Sequence, residues 1–366
     1  MIAALLLLAG CAPTTDEQVR LTGIGTGRAA PNPKPVPRFT ENSFITADGQ
    51  ILPLRKWLPQ AHRNSEVKAV ILALHGFNDY DNAFDGPGEI WAKAGIATYA
   101  YDQRGFGAAP ERGFWPGRAA LAADAATATE VLRELYPGVR VYLLGESMGG
   151  AVAVIALTGE SGTPVPDVDG VILTAPAVWG RSTMDVLPRL ALWAGVRLMP
   201  RLTLTGRGLK IKPSDNIEML RALSRDPLVI KGTRVDAIEG LVDLMDAALA
   251  AAPAIDLPML LLYGDRDELV PKEATELWVE NLPYRTRLTR KLAWYDHGYH
   301  MLLRDLQAPM VWRDIANWID DHRAPLPSGA DRRASDVLFA RGAKGPLTLP
   351  ALRAGSLPLP LAEREN

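Results

Sequence analysis

Ser147 stands in the stretch Val141-Tyr-Leu-Leu-Gly-Glu-Ser-Met-Gly-Gly-Ala151, and its neighbours decide what its hydroxyl could do. An apolar run that reads as a buried strand ends at Gly145, and small residues open a helix through Ala151-Val152-Ala153. Between them, Gly145-x-Ser147-x-Gly149 is the pattern of a sharp strand-to-helix turn. Glycines two positions either side let strand and helix close up, and the turn pushes the serine out of the sheet beside a helix N-terminus. A serine hydroxyl is a weak nucleophile until a base takes its proton, and that base needs a partner to fix its tautomer.

Two later strand ends offer such groups. Leu262-Tyr263-Gly264 runs into Asp265-Arg266-Asp267, and Trp294-Tyr295 runs into Asp296-His297-Gly298-Tyr299-His300. The chain order Ser, Asp, His is the one this elbow uses. Asp267 is favoured over Asp265, which directly follows the turn glycine, where a carboxylate commonly caps the turn. His300 opens the apolar run Met301-Leu302-Leu303 and is favoured over His297, which precedes a glycine in the tight loop. The oxyanion formed by attack on an ester needs two donors. One is the backbone N–H of Met148 at the helix start. The other is expected from the loop after His75-Gly76, at the backbone N–H of Phe77. His75, Asp102 and Arg104 read as braces of their loops.

The elements that must position these groups alternate. Phe44-Ile-Thr46 and Leu52 to Leu58 read as a hairpin about Asp48-Gly49. The continuous apolar run at 69–74 reads as a strand buried on both faces, 96–101 as another apolar strand, and 139–144, 168–175, 259–263 and 291–295 as further strands. Helical patterns at about 82–94, 118–136, 272–281 and 309–322 lie between or after them. This alternation predicts an α/β fold, a mostly parallel central sheet with helices on both faces. Its working site lies outside the carboxyl ends of the strands, where each polar motif above falls.

The interval 177–253 carries no strand signal and reads as a helical cap inserted after the strand ending near Thr174. The core is then 39–176 and 254–323, preceded by a Pro-rich spacer at 12–38 and followed by a poorly ordered tail at 324–366. The 366 residues, 48% hydrophobic, suit one large domain with an insertion, and a formal net charge of -2 gives no reason to expect a nucleic-acid partner. Five scattered histidines and one cysteine form no zinc-type cluster, and serine chemistry of this kind calls for no metal or organic cofactor. That cysteine closes Met1-Ile-Ala-Ala-Leu-Leu-Leu-Leu-Ala-Gly-Cys11, a run too short for the roughly 20 residues that span a bilayer. The run resembles the end of a bacterial lipoprotein signal, and the absent basic stretch places the expected true start upstream of Met1. Acylated Cys11 would tether the domain to a membrane face of the cell envelope.

The assembled chain resembles the α/β-hydrolase superfamily, and within it the monoacylglycerol lipase/lysophospholipase group, also described as serine aminopeptidase S33-like hydrolases. The resemblance is carried by His75-Gly76-Phe77, Asp102-Gln-Arg-Gly-Phe-Gly107, Gly145-Glu-Ser-Met-Gly-Gly150, Leu223-Ser-Arg-Asp-Pro-Leu228, Gly264-x-x-Asp267 and Gly298-Tyr-His300, over about residues 40–322. It implies the α/β-hydrolase fold and a catalytic triad of Ser147, Asp267 and His300, with Phe77 and Met148 as oxyanion donors. The substrate it implies is a lipid ester of monoacylglycerol or lysophospholipid type. Glu146 departs from it, because lipases of the group often carry His there. A peptidase or acyltransferase of the same fold, and a non-catalytic surface lipoprotein, are the alternatives. Variants with an Asp nucleophile are argued against by Ser147.

Between Arg181 and Lys212 the cap holds Arg181, Arg189, Arg197, Arg201, Arg207, Lys210 and Lys212 against one acid, Asp185. Leu187, Leu190, Leu192, Trp193, Val196, Leu198 and Met199 are interleaved and cover nearly the whole helix circumference. A helix apolar all round is buried or touches something apolar. Two arrangements satisfy that: packing over the active site with a basic rim, or a lipid-facing gate whose arginines attract anionic head groups.

Overall fold

The computed structural model describes residues 35–60, 67–159, 162, 164–206 and 211–339. Cys11, most of the spacer, Arg207 and Lys210 lie outside the described residues. Nine strands form one sheet: β1 (Arg38–Phe39), β2 (Ser43–Ile45), β3 (Ile51–Trp57), β4 (Ala69–Leu74), β5 (Ile96–Tyr101), β6 (Arg140–Glu146), β7 (Gly170–Thr174), β10 (Met259–Gly264) and β11 (Arg290–Tyr295). Their spatial order is β1-β2-β3-β5-β4-β6-β7-β10-β11. The first three strands are antiparallel, and β5 through β11 run parallel. The chain leaves β4 toward β5 on one side and returns to β6 on the other. That reversal opens a crevice at the carboxyl ends of β4 and β6.

Successive side chains on a strand face opposite ways, and here both faces are covered. Val70, Leu72 and Leu74 of β4, with Val141 and Leu143 of β6, join the cluster under helices α2 (Arg118–Leu135) and α3 (Met148–Thr158). Ala69, Ile71 and Ala73, with Tyr142 and Leu144, join the other face under α1 (Asp85–Lys93) and α8 (Ala308–Asp320). Trp318 of α8 and Trp91 of α1 are wholly buried there. Helix α3 is buried from Met148 to Leu157, lying between the sheet and α2. An apolar, all-round surface is what such a position requires.

The interval 177–253 differs from its expected form in two ways. Its strands β8 (Thr203–Thr205) and β9 (Gly232–Arg234) pair antiparallel as a separate ribbon, where no strand was predicted. They are three residues each and contain threonine and arginine, too short and polar for a periodicity signal. The last helix, α6 (Val235–Ala250), belongs to the core rather than to the cap. Its Leu244 and Ala248 are wholly buried in the same cluster as α3. The cap proper is therefore the stretch holding α4 (Val186–Leu198), β8, α5 (Ile217–Arg225) and β9.

The expected disordered tail also needs correction over its first third. Helix α9 (Ala330–Phe339) packs on the edge strand β11, with Leu326, Ala330 and Ala334 buried. Asp314 of α8 holds the entry to α9, accepting the Ser328 N–H at 3.1 Å. Helix α7 (Lys272–Glu280) completes the layer beside β10, burying Trp278, whose Nε1 donates to Ala248 O of α6 at 2.9 Å.

Candidate active site

Ser147 follows directly on β6 and serves as the N-cap of α3, with φ 53° and ψ -115°. A non-glycine residue held there costs of order 1–3 kcal/mol and persists only when its surroundings over-determine it. They do: Ser147 N–H donates to Thr174 O at 2.9 Å, and Ser147 O accepts from Ala177 N at 2.9 Å and Gly150 N at 3.0 Å. The glycines are needed for room. A Cβ on Gly149 would lie 2.0 Å from Leu74 O, and one on Gly145 would lie 2.4 Å from Gly149 O. The sharp turn thus brings helix, strand β6 and the end of β4 together.

His300 lies in the loop after β11 and Asp267 in the loop after β10. His300 Nε2 is 2.9 Å from Ser147 Oγ, and His300 Nδ1 is 2.8 Å from Asp267 Oδ2. The Asp267 side chain is fully buried, and its Oδ1 accepts the Leu269 and Val270 N–H groups at 2.8 and 3.0 Å. An ionised carboxylate out of water requires such donors. The imidazole therefore carries its proton on Nδ1, leaving Nε2 free to accept from Ser147. Burial opposes charging His300, but the Asp267 carboxylate and, further off, Glu146 outweigh it and raise its pKa above the ordinary histidine value. The other two candidates sit elsewhere. Asp265 is exposed and accepts from Trp294 Nε1 at 3.2 Å, and His297 is exposed with its Nδ1 2.6 Å from an Arg266 nitrogen.

The loop after β4 passes next to the nucleophile: a Cβ on Gly76 would lie 3.5 Å from Ser147 Cβ. His75 braces it from below. Its Nδ1–H donates to Gly76 O at 2.8 Å, and its Nε2 accepts the Gln103 N–H at 2.9 Å. Burial lowers the His75 pKa and keeps the ring neutral, as this bonding requires. Among the described residues, neither Phe77 N–H nor Met148 N–H has an acceptor. Asp102 caps its loop by accepting Asp81 N–H at 3.0 Å and Ala108 N–H at 2.7 Å, and Arg104 pairs with Asp124 and Asp48.

Sequence reasoning missed a second constellation at this site. Arg304 is nearly buried, with one terminal nitrogen 2.6 Å from Asp79 Oδ2 and 3.2 Å from Glu146 Oε2. Burial opposes its charge, while Asp79 and Glu146 more than restore it. Burial raises the Glu146 pKa against the pull of Arg304. Glu146 is thus explained: it shares a guanidinium that the loop four residues after His300 delivers. A lone arginine after Met301-Leu302-Leu303, with acids at two strand ends, was the available signal. Ser147, His300, Asp79, Glu146 and Arg304 line a cavity of about 440 Å³ whose remaining wall includes Trp179, Leu241, Met245, Leu269 and Met301. Asp305 fixes the loop that carries His300, accepting the Tyr299 N–H at 2.8 Å and the hydroxyl of Ser214 from the cap side at 2.6 Å. Burial pushes its carboxyl up to about 6. Among the described residues, no cluster of His, Cys, Asp or Glu is placed to hold a metal ion.

A serine on a strand-to-helix elbow, a histidine and a carboxylate at later strand ends, and this strand order define an α/β-hydrolase with a serine nucleophile. A family model described as "Serine aminopeptidase, S33" matches residues 65–307, and the chain belongs to that family. It is 28% identical to the monoglyceride lipase of Rattus norvegicus over 80% of this chain and 93% of the relative. It is 24% identical to the monoacylglycerol lipase of Mycolicibacterium smegmatis over 77% of this chain and 98% of that one. Among solved structures, the monoacylglycerol lipase of Paleococcus ferrophilus superposes with a TM-score of 0.59 at 21% identity, covering 74% of this chain and 99% of its own. A carboxyl esterase from Bacillus coagulans superposes with a TM-score of 0.61 at 17% identity, covering 78% and 99%. At those identities the structural likeness speaks to the fold alone.

Proposed function

We propose that the chain hydrolyses carboxylic esters of single-chain lipids, of monoacylglycerol or lysophospholipid type, through an acyl-enzyme on Ser147. The observation that carries this is the unbroken hydrogen-bond relay from Ser147 through His300 to Asp267, opening on a cavity of about 440 Å³ with a largely apolar wall. The names of the relatives support the substrate class. In the proposed reaction Ser147 Oγ attacks the acyl carbon as His300 Nε2 takes its proton, and the Phe77 and Met148 N–H groups receive the oxyanion. Collapse expels the alcohol, protonated by His300, and leaves the acyl ester. Water, deprotonated by the same nitrogen, then attacks that ester and releases the fatty acid. Asp267 holds the tautomer and stabilises the imidazolium throughout.

A peptidase that grips a free α-ammonium needs a carboxylate available to it. Asp79 and Glu146, the two at the cavity, are both turned onto Arg304, which favours the esterase reading. Fatty-acid release from a monoacylglycerol, followed for the wild type and Ser147→Ala, tests the proposal. Release by the wild type and none above background by the variant is expected. Amino-acid release from peptides without ester cleavage would overturn it.

The reading extends to a lipid surface. Helix α4 has no buried residue, and Leu187, Trp193 and Leu198 are 78%, 56% and 76% exposed. Arg189, Arg197 and Arg201 are exposed, and of the three Arg201 lies near enough to a carboxylate, Asp236, to help lower its pKa. Exposed apolar side chains flanked by exposed arginines suit an anionic membrane face. Acylation of Cys11 in a bacterial envelope would hold the enzyme there. Incorporation of an alkyne-tagged fatty acid, lost in Cys11→Ser, is the expected result.

A further inference from the structure

The loop that carries the Phe77 N–H is anchored at two sides. On the core side, His75 and Gln103 hold it from beneath the sheet end. On the other side, it is tied to the cap by Asn78, which also lines the cavity, and by Tyr80. Asn78, the residue next to the donor, sits at φ 66°, a left-handed conformation that asparagine tolerates better than most residues. Its Nδ2 donates to Thr233 Oγ1 of β9 at 2.7 Å, and its backbone carbonyl accepts the Ile230 N–H at 2.9 Å. Two residues on, Tyr80 OH donates to Asp226 Oδ2 at 2.7 Å and accepts from Asn82 Nδ2 at 2.8 Å. Asp226 in turn accepts the Leu228 N–H at 2.8 Å, so its carboxylate is itself fixed.

We infer that Thr233 and Asp226 of the cap are positioning residues for the oxyanion hole, acting through Asn78 and Tyr80 on the Phe77 N–H. An oxyanion donor works only if it is already aimed when charge develops, and small misplacements of such groups cost large factors in rate. The Phe77 N–H has no acceptor of its own; its ring packs on Phe106 and Trp115, the Asp79 N–H closes the turn onto Gly76 O, and the direction of the peptide is completed by the residues either side. Thr233 is paired through β9 to Leu204 of β8, which is 46% exposed on the same cap. An exposed residue of the cap is therefore one strand pairing away from the residue that steers the donor.

The inference rests on the esterase reading and is tested by Thr233→Val, which keeps the shape and removes the hydroxyl, and independently by Tyr80→Phe. With a soluble short-chain p-nitrophenyl ester, each is expected to lower kcat about tenfold, below the roughly 100-fold cost of losing a whole oxyanion donor. KM should stay within about twofold, and the pH at which the acid limb falls should not move, because neither change touches His300. The rate of phosphonylation by a fluorophosphonate, which passes through a similar charged oxygen, should fall by the same factor. Thr233→Ser should restore both rates. Bonds that merely hold the cap down would instead raise KM or lower the melting temperature, with kcat and phosphonylation unchanged. That result in both variants would overturn the inference. A wild type that reacts with neither ester nor fluorophosphonate would overturn the esterase reading itself, and the inference with it.

Discussion

The carboxyl ends of the strands and the cap differ in where their side chains find partners. At the strand ends the charged groups find partners within the chain: Asp267 accepts from His300 and two backbone N–H groups, and Arg304 shares one terminal nitrogen between Asp79 and Glu146. On α4, by contrast, Leu187 and Leu198 are more than three-quarters exposed, and the Arg197 guanidinium stacks 4.3 Å from the Trp193 ring. Full burial of a leucine or tryptophan is worth roughly 1.5–3 kcal/mol, so this surface leaves several kcal/mol available to an apolar partner. The catalytic relay is assembled within the chain, whereas α4 leaves apolar side chains exposed.

The largest effect that sharpens this contrast is Asp267→Asn. It keeps the size but reverses the tautomer preference of His300, and kcat should drop about 10⁴-fold with KM little changed. Steady-state kinetics on a soluble ester measure this; a loss of tenfold or less would mean that Asp265 or water replaces it. Trp318→Ala removes a wholly buried ring beneath the sheet and should destabilise by about 3–5 kcal/mol in denaturant unfolding. The matching change on α4, Leu187→Ala, should stay within about 0.5 kcal/mol, and a larger loss would mean that the helix is packed in solution.

Replacing Arg189, Arg197 and Arg201 together by Gln should leave hydrolysis of a soluble ester unchanged while weakening sedimentation with anionic vesicles. Unchanged vesicle binding would remove the membrane role of the cap. The smallest effect is electrostatic. His300 must be neutral to accept the serine proton, and its raised pKa shifts the acid limb of kcat/KM upward from the ordinary histidine value. Glu146→Gln deletes one of the charges that raise it, so the limb should move to lower pH. A limb that stays put or moves upward would show that Glu146 acts only through Arg304.

The same contrast explains what was legible in the sequence. Strands buried on both faces are apolar along most of their length, and β4, β5, β6, β7 and β10 are legible within a few residues for that reason. The elbow was readable because backbone closeness admits only glycine at 145 and 149. Side chains that meet only in space were not. Arg304 joins Asp79 and Glu146 from three different strand ends, and no local pattern connects them. Strands β8 and β9 pair across a long separation with three residues each. Helix α9 opens on Ala330-Asp-Arg-Arg-Ala334, where two buried alanines one turn apart stand in a charged stretch that composition alone marks as a tail. Helix α6 follows cap residues in the chain and so reads as cap, although the buried side of Leu244 and Ala248 places it against α3.

The central claim is that Ser147 alone is the activated nucleophile, and the most direct measurement is peptide mapping of the chain after reaction with a fluorophosphonate. One phosphonyl group per chain, on the peptide containing Gly145-Glu-Ser147-Met-Gly149, and none in Ser147→Ala, is the result predicted. Labelling that persists in Ser147→Ala, or that maps to another residue in the wild type, would contradict it.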